Sequence, residues 1–190
     1  MPQTETEIMQ SLRDLKLLGM QETFESRVFQ HNEGGQAFSE TFSRLLQDEK
    51  DQRQSRRQVR RLKSSGLKEQ KTLEGFDWGF NPKLPKKNIL DLLALKFVKL
   101  GEDALFIGSP GTGKSHIAQA LAHKAITTTN YKTLYKESHI LFGELYEARQ
   151  LGRRKKAYKP IIDADLLIRD DLFLRKRVAP EAADDFQEII

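Results

Sequence analysis

With 190 residues, 38% of them hydrophobic and 31% charged, the chain can form one compact domain with a smaller one appended, and global disorder is excluded. It contains no cysteine, which excludes a disulfide framework, a thiolate metal site and a thiol nucleophile. A formal net charge of +5 permits binding to polyanions, and the polar, acidic start MPQTETEIMQ lacks the basic and apolar parts of a secretory signal.

Ile8, Leu12, Leu15 and Leu18 recur every three or four positions, which predicts an amphipathic helix over 4–18 with Gly19 as its left-handed stop. A second helix is predicted over 20–30, ended by the glycines of HNEGG. Phe38, Phe42, Leu45 and Leu46 begin a third, which runs through the polar stretch QDEKDQRQSRRQVRR to Ser64, Ser65 and Gly66. Its second half is expected to be solvated. These elements define a small all-helical N-terminal domain over 1–66, read as a grip for DNA or a protein partner.

The segment TLEGFDWGFNPKLPKK breaks periodicity with two prolines and two glycines, so a linker is placed at 67–87. Its aromatics Phe76, Trp78 and Phe80 suit either stacking on a base or tethering the linker to a domain surface. A helix is then expected over 88–100, a short buried strand over 104–107, a helix from Lys114, a strand over 133–136, a helix over 138–151 and a strand over 165–168. The run ILDLLALKFVKL is interrupted by Asp91 and Lys96 and is too short to span a bilayer. Strands alternating with helices predict an α/β domain with a mostly parallel sheet over 88–190. The closing segment PEAADDFQEII reads as one more helix.

Between the first strand and its helix stands GSPGTGKS, the GxxxxGK[ST] phosphate-binding pattern, formed by Gly108, Ser109, Pro110, Gly111, Thr112, Gly113, Lys114 and Ser115. Glycine lets the backbone N–H groups approach phosphate oxygens, and the following helix N-terminus adds aligned donors and partial positive charge. Lys114 is expected on the β and γ phosphates of ATP and Ser115 on Mg2+, with His116 completing the cofactor-binding set. Downstream, DLLIRDD offers an apolar strand ending in two acids: Asp170 for the metal shell, and Asp171 to orient the attacking water. Lys114 and Asp171 are the catalytic candidates. Arg169 stands where a buried, unpaired guanidinium would cost several kcal/mol.

Two basic clusters stand out. Arg53, Arg56, Arg57, Arg60, Arg61 and Lys63 form one, flanked by Lys50 and opposed only by Asp51, while Arg153, Arg154, Lys155 and Lys156 form the other, flanked by Arg149 and Lys159. Each suits either phosphate-backbone contact or a solvated helix face.

The motifs LRDLKLLGMQETFESR, LLQDEKDQRQSRR, KTLEGFDWGFNP, ALFIGSPGTGKSHIAQALAHKA and DLLIRDDL, in this order, resemble IstB-like proteins. These are ATP-binding transposition helpers of bacterial insertion sequences, in the AAA+ class and related to the DnaC helicase loaders. The resemblance implies a cytoplasmic AAA+ P-loop NTPase that binds ATP and Mg2+, forms homo-oligomers on duplex DNA and presents target to a transposase. Arg169 departs from the family's aliphatic residue at that position. AAA+ sheets also carry two further strands that flank the P-loop strand, and neither is found in this sequence. The sheet is therefore expected to be incomplete at the C-terminus, with segment 104–107 lacking both neighbours. A DnaC-like helicase loader and a truncated, non-hydrolysing nucleotide- or DNA-binding remnant are the alternative readings.

Overall fold

The computed structural model describes residues 4–35, 37–171 and 180–187. The chain divides into two compact units, Met1–Val59 and Arg60–Ile190.

In the first unit, α1 (Glu5–Asp14) opens with a capping box in which Thr4 and Glu7 each bond the other's backbone N–H. It ends four residues earlier than its apolar spacing predicts, and the left-handed residue there is Lys16, at φ 59°, not Gly19. Gly19 instead lies buried in the first turn of α2 (Leu18–Gly34). A Cβ at Gly19 would stand 2.6 Å from the Glu49 Cα on α3 (Phe38–Ser64), so the close crossing of the two helices, rather than a turn, requires glycine here. α2 has no side-chain cap of its own. Glu49 replaces it, with Oε2 accepting the N–H groups of Gly19 at 2.6 Å and Met20 at 3.2 Å, and Oε1 accepting from Arg53 Nε. Gly35, at φ 57°, closes α2 as the HNEGG signal predicts.

In the second unit, the helix expected over 88–100 is broken into α4 (Lys86–Leu92) and α5 (Lys96–Leu100). Leu95 sits between them in the left-handed region at φ 55° and is 1% exposed. Burying its side chain with Ile89, Ile117, Leu121 and Ala125 outweighs the backbone strain. α6 (Lys114–Lys124) contributes Ile117 and Leu121 to that core and runs into a π turn over Ala125–Thr129.

β1 (Thr133–Glu137) and β2 (Leu166–Asp170) pair in parallel, in register from Thr133 opposite Leu166 to Glu137 opposite Asp170. Between them run α7 (Ser138–Gln150) and α8 (Arg154–Ile162), the crossover that parallel strands need. α8 is absent from the sequence expectation. A second core joins Leu134, Leu141, Leu145 and Ile161 to Phe186 of α9 (Pro180–Gln187). α9 carries the expected closing helix, whose last three residues lie outside the described ones.

Segment 104–107 does not form the expected buried strand. Leu105 and Ile107 are 68% and 83% exposed, and among the described residues the sheet has two strands, neither of which pairs with it. Without a neighbour its N–H and C=O groups have no ladder to join. The result is an incomplete P-loop NTPase fold. Among the described residues, no helix is long and apolar enough to cross a membrane.

Two outcomes follow from the Glu49 tie. Gly19→Ala should lower stability by about 1–3 kcal/mol in urea unfolding, because the added methyl overpacks the helix crossing. Burial pushes the Glu49 carboxyl up, but Arg53 and the Gly19 and Met20 N–H groups outweigh it and leave the pKa below the ordinary 4.5. The carboxylate's contribution is thus complete above about pH 5 and is lost as pH falls through the folded value. Glu49→Gln should cost about 1–2 kcal/mol at pH 7, with the gap to the parent narrowing below pH 4.5.

Candidate functional site

The glycine loop reaches its conformation through Gly111 at φ 75° and Gly113 at φ 92°, both closed to most side-chain-bearing residues. Gly113 is the N-cap of α6 and supplies no side-chain acceptor, so the first-turn N–H groups are left to an external one. The Thr112 hydroxyl donates to Ser109 O at 2.9 Å. Lys114 folds back over the loop, its Nζ donating to Gly108 O at 2.9 Å and Ser109 O at 2.8 Å. Gly108, Ser109 and Pro110 are exposed, while Ser115 and His116 are half-buried. A helix N-terminus without a side-chain cap and a lysine held beside it form the donor set that a polyphosphate requires.

The linker aromatics support this loop from behind. The Phe76 ring packs edge-on to Trp78 at 4.8 Å and to His116 at 5.0 Å, and a Cβ at Gly113 would lie 3.0 Å from Phe76 Cζ. His116 Nε2 lies 2.9 Å from Thr72 O. Phe76 and Trp78 therefore tether the linker to the core, and only Phe80, 74% exposed, stays outside it.

At the end of β2, Asp170 is held at three oxygens. Its Oδ2 accepts the Tyr135 hydroxyl, its Oδ1 accepts the Asp171 N–H at 2.9 Å, and its main-chain oxygen accepts the Ser138 hydroxyl at 2.9 Å. Asp171 is exposed and left-handed at φ 55°. Desolvation, then the negative charges of Asp170 and Glu137, push its carboxyl above the usual range, while His139 and Lys114 oppose the shift. The Lys114 charge is thus felt at the strand end. Glu137 itself pairs with Lys68, and His139 Nδ1 lies 3.6 Å away from it. Tyr135, Ser138, Glu137 and Lys68 have no part in the sequence motifs; the segment TLYKES holds the first three, and nothing in the sequence marks Lys68.

Arg169 is neither solvated nor stranded. Its guanidinium lies 4.3 Å above the Phe186 ring, a cation–π contact that replaces part of the lost hydration, while burial lowers its pKa. Of the basic candidates, Arg56, Arg57, Arg60, Lys63, Arg153, Lys155 and Lys156 are exposed. Arg61 and Arg154 are half-buried, and Arg53 is engaged with Glu49. Among the described residues, no group of three or more His, Cys, Asp or Glu side chains is arranged to hold a metal by itself.

Residues 10–190 match the family of IstB-like ATP binding proteins. The chain belongs to this family. A relative of Mycobacterium tuberculosis named for ATP binding in an insertion sequence is 35% identical over 184 residues, covering 95% of this chain and 71% of the relative. An ATP-binding protein named for insertion sequence IS5376 of Geobacillus stearothermophilus is 34% identical, with 72% of this chain and 54% of the relative covered. One named for IS21 of Pseudomonas aeruginosa is 33% identical, with 71% and 51% covered. The IstB-like chain thus spans about half the length of the latter two.

Gly113→Ala in this IstB-like chain should lower stability by about 1–2 kcal/mol in thermal unfolding, since alanine resists φ 92° and its methyl meets Phe76. An unchanged melting curve would show that the loop relaxes freely.

Proposed function

We propose that this IstB-like protein binds ATP with Mg2+ through Gly108–Ser115 and hydrolyses it as a helper in DNA transposition, assembling with its own copies on duplex DNA and engaging a transposase. The observation that carries the nucleotide reading is the loop itself: two left-handed glycines, an α6 N-terminus without a side-chain cap, and Lys114 beside it. Relatives named for ATP binding in insertion sequences support both the ligand and the setting.

In this reading Lys114 neutralises the terminal phosphates, the backbone around Gly111 to Ser115 and His116 cradles them, and Ser115 with Asp170 holds Mg2+. Mg2+, when bound, supplies charge neutralisation on the phosphates. Asp171 orients the attacking water. Desolvation and then the neighbouring acids shift this carboxyl upward, and a bound cation would oppose that shift. The domain over 1–66 and the two basic clusters would grip the DNA backbone, with Arg56, Arg57 and Arg60 presenting exposed guanidinium groups along α3. One observation favours a second reading, nucleotide binding without turnover: segment 104–107, which leads into the loop, is not laddered into the sheet.

ATP binding and turnover by the 190-residue chain, with and without duplex DNA, test the reading beside Lys114→Ala. Binding should fall about tenfold or more in Lys114→Ala, as expected for loss of a charged phosphate contact; equal binding by both would contradict a phosphate site here. Reversing Arg56, Arg57 and Arg60 to glutamate should weaken binding to unrelated DNA sequences alike. The salt slope should become shallower by about 0.9 per lost phosphate contact, and an unchanged slope would assign these residues to solvent or to a protein partner.

A further inference from the structure

The metal-side carboxylate of the proposed site is not free to choose its orientation. Tyr135 lies in the middle of β1, 6% exposed, opposite Ile168 of β2. Two contacts fix it: its N–H donates to Ser65 O at 2.7 Å, and its hydroxyl donates to Asp170 Oδ2.

A carboxylate on a strand end rotates about its last bond unless both oxygens are held. Here Oδ1 takes the Asp171 N–H and Oδ2 takes the phenol, and each oxygen keeps a second lone pair. Carboxylates that ligate cations are commonly oriented by such partners, and removal of a partner weakens metal binding. α6, which begins at the glycine loop and carries Lys114 and Ser115, packs against both β1 and β2.

We infer that Tyr135 is a positioning residue for Asp170, orienting its carboxylate toward the divalent cation that accompanies bound nucleotide. The inference rests on the nucleotide site proposed above. It does not follow from either sequence motif, since Tyr135 lies outside both. A purely structural tie between β1 and β2 would present the same hydrogen bond but would not change cation affinity selectively.

The test uses the 190-residue chain and Tyr135→Phe, which keeps the ring and removes the hydroxyl. Three quantities are read: affinity for a non-hydrolysable ATP analogue in EDTA, Mn2+ affinity of the nucleotide complex by electron paramagnetic resonance, and melting temperature. Mn2+ affinity should fall about tenfold or more, with metal-free nucleotide affinity unchanged and melting temperature lowered by a few degrees at most. Mn2+ affinity equal to the parent's would overturn the inference, and so would a parallel loss of all three quantities. If the parent binds no nucleotide, or binds it equally after Lys114→Ala, the nucleotide site fails and this inference with it. Should Tyr135→Phe not fold, the parent labelled with 13C at the tyrosine ζ carbon provides the readout. The Tyr135 resonance should move when Mg2+ is added to the nucleotide complex, and a resonance that stays in place overturns the inference.

Discussion

Five residue pairs of parallel backbone, from Thr133 opposite Leu166 to Glu137 opposite Asp170, hold the candidate site together. The pairing brings two strand ends to one edge, and α6 packs against both strands, so the glycine loop at its start is anchored to the same small sheet. Ligands of open α/β sheets bind beyond the carboxyl ends of their strands. Glu137, Ser138, Asp170 and Asp171 all stand at that end, and Lys114 is near enough for its charge to oppose the shift of Asp171. If the register slipped by one residue, Tyr135 would face the wrong side of its neighbour and Asp170 would lose its phenol.

The charges at this edge are arranged around a deficit of positive charge. Asp171 is raised by desolvation first, and then by the repulsion of Asp170 and Glu137 crowded beside it. Lys68 and His139 lie on Glu137, while Lys114 is turned to the loop carbonyls. A cation between Asp170 and a bound phosphate would relieve that repulsion, which is why a polyanion accompanied by a divalent metal suits this site better than a neutral ligand. In the N-terminal unit the opposite economy holds: Glu49 is matched by Arg53 and two backbone N–H groups, and among the described residues the basic side chains further along α3 have no comparable buried acid.

What the sequence made legible was local. GSPGTGKS declares its geometry because Gly111 and Gly113 answer a dihedral requirement within the loop, and the Gly35 stop of α2 does the same. Features set by distant contacts were illegible. Gly19 looked like a helix stop, yet it serves the α3 backbone thirty residues away. Leu95 breaks a periodic helix because the core needs its side chain, and α8 hides behind a basic run with Pro160 inside it. Segment 104–107 shows the limit in the other direction: an apolar run has strand character, but only a neighbouring strand can make it one. Tyr135 could not be singled out, since its role depends on a pairing register that no short motif encodes.

The most direct measurement is amide hydrogen exchange of the 190-residue chain with and without ATP and Mg2+. Slower exchange at Gly111–His116, with smaller slowing at Asp170 and Asp171, is the result expected of a phosphate held by the α6 N-terminus. Unchanged exchange across 108–116 at saturating nucleotide would contradict a nucleotide site in this loop.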